Sequence, residues 1–179
     1  MLKLRDWVDI NKLDWFGLSL NPNAIELLKE YKYKINWHYL SKNQNAIDLL
    51  KENQDKIDWC YLSENPNAIN LLKEIQNKIN WINLSLNPNA IKLLKKNKDK
   101  IKWNYFSKNP NAVELLKENQ DKINWRILSE NKNAIDLLKE NQEKINWCLF
   151  SQNSNIFTYD YKLIKENMKN SGIVEELTT

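Results

Sequence analysis

The sequence predicts an all-α chain, an α-solenoid of about seven 22-residue helix-turn-helix repeats with N- and C-terminal caps. Three observations carry this. Seven of the eight tryptophans, Trp15, Trp37, Trp59, Trp81, Trp103, Trp125 and Trp147, fall on a strict 22-residue period, and a fixed period of that length marks a repeat architecture. From six of these tryptophans, Trp15 to Trp125, runs the phrase W-x-x-[LF]-S-x-N-x-N-A-[IV]-x-L-L-K-x-x-x-x-K-I-x, and a seventh copy starts at Trp147 and degenerates after Asn155; the phrase's apolar residues cluster on one side of a helix. Only Gly17 and Gly172 are glycine, which argues against a turn-rich β fold.

Residues 1–14, with Trp7 and the K-L-D before Trp15, read as half a unit forming an N-terminal cap. Residues 15–152 form the array, a single domain. Within a unit the first helix is expected to begin at N-x-N-A. Asn21, Asn43, Asn65, Asn87, Asn109, Asn131 and Asn153 stand where a side chain caps a helix. All four prolines follow this asparagine directly, at the first helical position, where a missing N–H does no harm. The helix should stop near Asn53, Asn97, Asn119 and Asn141 in a left-handed C-cap. Tyr31 and Ile75 hold that place in two units and should resist it. A shorter second helix, partly 3₁₀, is expected from caps such as Asp55, Asp99 and Asp121. It carries Ile57, Trp59 and Leu62, with Ile57 and Trp59 about 200° apart on a helical wheel. Helices of roughly eight to ten residues are too short to stand alone, so units must stack, with the indoles inside gluing each to the next. Residues 153–179 read as a C-terminal capping helix and tail, in which Ile156, Phe157, Tyr159 and Tyr161 replace A-I-x-L-L and the tail frays from Ser171.

A longer period lies in a variable column. Directly after each repeat serine stand Leu20, Lys42, Glu64, Leu86, Lys108 and Glu130. The order Leu-Lys-Glu occurs twice, 66 residues apart, as a duplicated block of three units would leave it.

The phrase L-S-x-N-P-N-A-I-x-L-L-K followed by K-I-x-W resembles the 22-residue Asn-Pro-Asn-Ala tandem repeats of giant DNA virus proteins, over roughly residues 11–170. The closing S-N-I-F-T-Y-D-Y-K-L-I-K-E-N-M is similar to the way such arrays end. The resemblance implies an α-helical viral repeat protein made in the host cytoplasm. It implies no activity. The pairing of a long with a very short helix is similar to leucine-rich variant repeats in architecture alone.

The chemistry-bearing residues point to binding. His38, the one histidine, shares its unit position with Phe16, Cys60, Ile82, Asn104, Arg126 and Cys148, a position too permissive for a catalytic socket. No glycine-rich phosphate loop, Cys/His ligand cluster or nucleophile motif is present, so the expectation is a non-enzyme with no cofactor and no metal. Cys60 and Cys148 stand 88 residues apart, which fits a reducing, cytoplasmic setting. No apolar run approaches a membrane span, and the first ten residues lack the apolar core of a secretory signal. The leading reading is a protein–protein interaction or scaffolding module using His38, Tyr39, Cys60, Tyr61, Asn104, Tyr105 and Arg126. The second is nucleic-acid binding along two lysine columns, Lys29, Lys51, Lys73, Lys95, Lys117, Lys139 and Lys34, Lys56, Lys78, Lys100, Lys122, Lys144. It is sharpest in residues 81–102, where Lys92, Lys95, Lys96, Lys98, Lys100 and Lys102 face Asp99 alone, +5 in a chain of net +4. The third is end-to-end or side-by-side self-association.

Overall fold

The computed structural model describes residues 3–170, and those residues are all helical or irregular, with no strand. The tail expected from Ser171 lies outside them. Each unit contributes a tryptophan helix and a leucine helix. The tryptophan helices are α1 (Trp15–Leu20), α3 (Trp37–Lys42), α5 (Trp59–Glu64), α7 (Trp81–Leu86), α9 (Trp103–Phe106), α11 (Trp125–Leu128) and α13 (Trp147–Phe150). The leucine helices are α2 (Ile25–Glu30), α4 (Ile47–Lys51), α6 (Ile69–Glu74), α8 (Ile91–Lys96), α10 (Val113–Lys117) and α12 (Ile135–Lys139). A 3₁₀ turn follows each leucine helix, as at Gln54–Lys56. Successive tryptophan helices α1, α3, α5, α7 and α9 pack on one another in chain order, so the repeat array expected from the period is the fold.

The helix boundaries differ from expectation in three ways. The α-helices of the repeat units are four to six residues long, and the predicted second helix is cut in two. Ile57 is extended (φ −66°, ψ 126°) and so is Asp58, leaving Gln54–Lys56 as a separate 3₁₀ turn with Asp55 inside it rather than capping it. The true cap of each tryptophan helix is the residue before the indole. Asp14, Asn36, Asp58, Asn80, Asn124 and Asn146 accept from the second or third helical N–H. Lys102 holds that place before α9 and supplies no side-chain cap. Secondly, the N-x-N-A asparagine caps as expected, but what it caps is a 3₁₀ turn that leads into the α-helix: it is the N-cap of Pro66–Ala68 and Pro88–Ala90, with proline at the first position, and these turns run directly into α6 and α8, whose own N-cap is the alanine. Asn65 Oδ1 accepts from Asn67 N–H at 3.0 Å. Thirdly, no left-handed cap ends the leucine helix. Asn53, Asn97, Asn119 and Asn141 have φ between −137° and −128°, and Tyr31 and Ile75 share that region at −111° and −127°. The stop is uniform because any residue can adopt it. Asparagine adds a bond, Asn53 Nδ2 to Leu49 O at 2.8 Å.

The core consists of Leu, Ala and Ile columns: Leu28, Leu50, Leu72, Leu94, Leu116 and Leu138 are fully buried, as are Leu40, Leu62, Leu84, Phe106 and Leu128. The indoles form its rim rather than its centre. Trp15, Trp37, Trp59, Trp81, Trp103 and Trp125 are half-buried against it, and Trp147, which no unit follows, is 60% exposed. Five of these six rings are covered on the outer face by the lysine 19 residues on: Lys34 lies 5.7 Å from the Trp15 centroid, Lys56 4.7 Å from Trp37, Lys78 5.7 Å from Trp59, Lys122 5.0 Å from Trp103 and Lys144 4.4 Å from Trp125.

Polar columns tie the units. The repeat serine is fully buried. In the third unit Ser63 Oγ donates to Trp59 O (2.7 Å) and accepts from Asn80 N–H (3.0 Å) at the next cap. Asn87 Nδ2 donates to Ser63 O (3.0 Å) and Asn65 O (2.8 Å), and Asn89 Nδ2 to Pro66 O (3.0 Å). The same bonds recur from Asn43 and Asn45 to Asn153 and Asn155. The asparagine columns are therefore capping and inter-unit ladders, with each amide bonding a backbone carbonyl of the preceding unit. The three-unit period has a purpose in the stack, since Lys42 pairs with Glu64 at 3.2 Å and Lys108 with Glu130 at 3.3 Å.

The ends are less closed than expected. The 3₁₀ turn Ile10–Lys12 is the inter-unit turn of a half unit, but Trp7 is 81% exposed. At the other end α14 (Tyr161–Asn170) forms, yet Phe157, Tyr159, Tyr161 and Leu163 are all exposed. The segment does not seal the array as the expected capping helix would.

Candidate interaction surface

Once the ladders have used the serine, the two asparagines and, in most units, the second lysine, the exposed columns are the first lysine and the variable ones. The second and third residues of each tryptophan helix point away from the core because the fourth, Leu40 or Leu62, points into it. His38, Cys60, Asn104 and Arg126 are exposed; Tyr39 and Tyr61 are half-buried, and Tyr105 is 46% exposed.

Stacking brings part of this set together. His38 lies 4.0 Å, centroid to centroid, from Tyr61 and 5.5 Å from Tyr39, and the two tyrosines are 6.3 Å apart. Phe16, exposed and edge-on to Tyr39 at 5.8 Å, extends the group. The result is an aromatic patch over α1, α3 and α5. Its histidine is held by the cap of the next unit, His38 Nδ1 to Asp58 Oδ2. This pairing of a second-position side chain with the cap 20 residues later recurs as Cys60 with Asn80 (3.2 Å) and Asn104 with Asn124 (3.2 Å). Phe16 and Asp58 were absent from the sequence-derived set, although the 22-residue register already placed Phe16 beside His38. Asn104, Tyr105 and Arg126 stand on α9 and α11, outside the aromatic group. Both cysteines are free and exposed.

The lysines divide. The second column, Lys100 apart, sits over the indoles and is not an open track. Two members of the first are neutralised on their own helices by a glutamate three residues earlier: Lys29 bonds Glu26 at 2.9 Å and Lys117 bonds Glu114 at 3.2 Å. The Glu26 carboxylate holds the Lys29 ammonium above its ordinary pKa, through the hydrogen bond first and Coulomb attraction second. On α8 the equivalent pair is Lys92 and Lys95, so no such neutralisation is available, and Lys96 replaces the glutamate found in most other units. Lys92, Lys95, Lys96, Lys98, Lys100 and Lys102 are all exposed. Lys100 pairs with Asp99 at 3.3 Å. The aromatic patch and this basic patch therefore occupy different helices.

Among the described residues no group of three His, Cys, Asp or Glu side chains converges as a metal site, and no helix is long and apolar enough to cross a membrane. No protein-family model, curated protein or solved structure matches the chain, so what its surfaces can do is read from their own geometry.

Proposed function

We propose that the chain is a non-enzymatic helical-repeat scaffold that binds a protein partner through the aromatic patch of its first three units. The observation that supports this is the contrast between columns. The invariant Ser, Asn, Ala and Leu positions are spent inside the stack, while the variable second and third helix positions gather Phe16, His38, Tyr39 and Tyr61 at van der Waals to near-contact distances on the outside. Rigid aromatic side chains on a fixed backbone lose little entropy on docking, and such residues dominate interface energetics. The test compares wild type with a Tyr39→Ala/Tyr61→Ala variant as immobilised bait. A protein captured by wild type should bind the variant at least about tenfold more weakly, the loss of one hot spot. Equal capture by both refutes the assignment of this patch.

A second reading, nucleic-acid binding, is favoured by the basic patch on and after α8. It requires affinity for an oligonucleotide to fall steeply with salt and to drop in a Lys92→Glu/Lys96→Glu variant; a flat salt response removes it.

A further inference from the structure

The two ends of the array carry complementary halves of one inter-unit interface. At the first unit the ladder donors have nothing to bond. Asn21 and Asn23 engage each other only through Asn21 Oδ1 and Asn23 N–H, and no bond from either Nδ2, or from the Asp14 backbone N–H, is made among the described residues. Asn21 and Asn23 line an open cavity of about 530 Å³ beside Leu18 and Leu27, flanked by Lys3 and Leu4 of the half unit. Those leucines are half-buried there, whereas their counterparts Leu40 and Leu49 are buried. At the last unit the matching acceptors are unused among the described residues. Ser151 Oγ donates to Trp147 O at 2.7 Å, and none of the described residues donates to Ser151 Oγ, makes a ladder bond to the Ser151 or Ser154 carbonyl, or places a lysine over Trp147. Ile145 and Phe150 are half-buried where Ile123 and Phe106 are buried.

We propose that a second copy of this chain docks here, head to tail, as though it were the eighth unit. Carrying the 22-residue register forward matches every group. Lys12 of the second copy falls over Trp147, its Asp14 N–H on Ser151 Oγ, its Asn21 Nδ2 on the Ser151 and Asn153 carbonyls, and its Asn23 Nδ2 on the Ser154 carbonyl. These are the pairs that Lys34, Asn36, Asn43 and Asn45 make one unit on. Residues 3–14 of the incoming copy take the register places of residues 157–168, so that segment, α14 included, moves aside on docking; its Phe157, Tyr159 and Tyr161 are exposed. The contact is heterologous and every added copy presents a fresh end, so association is open-ended.

Two variants block one end each. Asn21→Asp/Asn23→Asp keeps the Asn21 turn acceptor but replaces both donors with carboxylates facing carbonyl oxygens. Trp147→Lys removes the ring and repels Lys12. Sedimentation over a concentration series should show wild type growing past dimers, each variant monomeric throughout, and an equimolar mixture of the two forming a dimer and nothing larger. That mixed dimer also shows that both variants are folded. A wild type monomeric at its highest soluble concentration overturns the proposal, as does association that either variant leaves intact or a mixture that stays monomeric.

Discussion

Replacing Asn87 by alanine should weaken the stack at its middle far more than its size suggests. The side chain is fully buried and makes three bonds: Nδ2 to Ser63 O (3.0 Å) and to Asn65 O (2.8 Å), and Oδ1 from Asn89 N–H (3.0 Å). At a net ~1 kcal/mol per bond, with a further penalty for any partner left dry, the loss is about 3–4 kcal/mol. That is a large share of a total stability of order 5–15 kcal/mol. Because each unit contacts only its neighbours, the damage falls on the coupling between the third and fourth units, and the transition should broaden as the halves part. Asn89→Ala is the internal control, since it removes one exposed bond to Pro66 O and should cost less than about 1 kcal/mol. Asn87→Asp keeps the acceptor but turns a carboxylate on two carbonyl oxygens, and should be worse than alanine. Urea unfolding followed by far-UV circular dichroism measures all three. The reasoning is refuted if Asn87→Ala costs under about 1 kcal/mol, or no more than Asn89→Ala.

The missing cap at α9 can be supplied: Lys102→Asn should raise stability by about 1 kcal/mol in the same assay, and no gain would mean that the cap column is not limiting there. Lys56→Ala uncovers Trp37. It should cost about 0.5–1 kcal/mol and, read against a Trp37→Phe background in a double-mutant cycle, the coupling should shrink.

The sequence made the stack legible because its period is exact and its apolar columns are strict: Leu28, Leu50 and Leu72 needed no coordinates. The division of the unit was harder to see. Asp58 before Trp59 is an Asx residue entering a helix, the ordinary cap signal, but the apolar Ile57 beside it suggested one helix running through both. The N-x-N-A phrase pointed to a capped helical start, and Asn65 and Asn87 do cap one; that its first turn is 3₁₀, and that the same asparagine reaches back to the previous unit, depends on contacts 22 and 24 residues away that no local pattern shows. Lys34 and its equivalents looked like a solvated track because Trp15 lies 19 residues earlier, a distance at which no local rule applies. The aromatic patch was half visible: His38, Tyr39 and Tyr61 were chosen for variability, and Phe16 needed only the same register. The exposure of Phe157 and Tyr159 could not be read from composition, since apolar residues at an array's end serve equally as a seal or as an open face.

If the units are as modular as the bonds imply, excising residues 81–102 should leave a folded array one unit shorter. The ladder spacings close across the cut. Asn109 and Asn111 meet the carbonyls of Ser63, Asn65 and Pro66, which Asn87 and Asn89 occupy in the intact chain. Asn80 comes to stand before Trp103 and offers α9 the cap that Lys102 withholds. Glu64 becomes the neighbour of Lys108 in the column where Lys42 and Glu64 now pair. Helical content per residue should hold and the melting midpoint should fall by a few degrees, since one interface is lost and a cap is gained. The net charge drops from +4 to −1 because the excised unit carries +5. Any affinity for an oligonucleotide should therefore disappear, while capture of a protein through Phe16, His38, Tyr39 and Tyr61 persists, those residues lying wholly within the first three units. An unfolded deletion product would show that the fourth unit holds the fold in a way its neighbours cannot replace. A folded product that still binds oligonucleotides in a salt-dependent manner would move the anionic site away from α8.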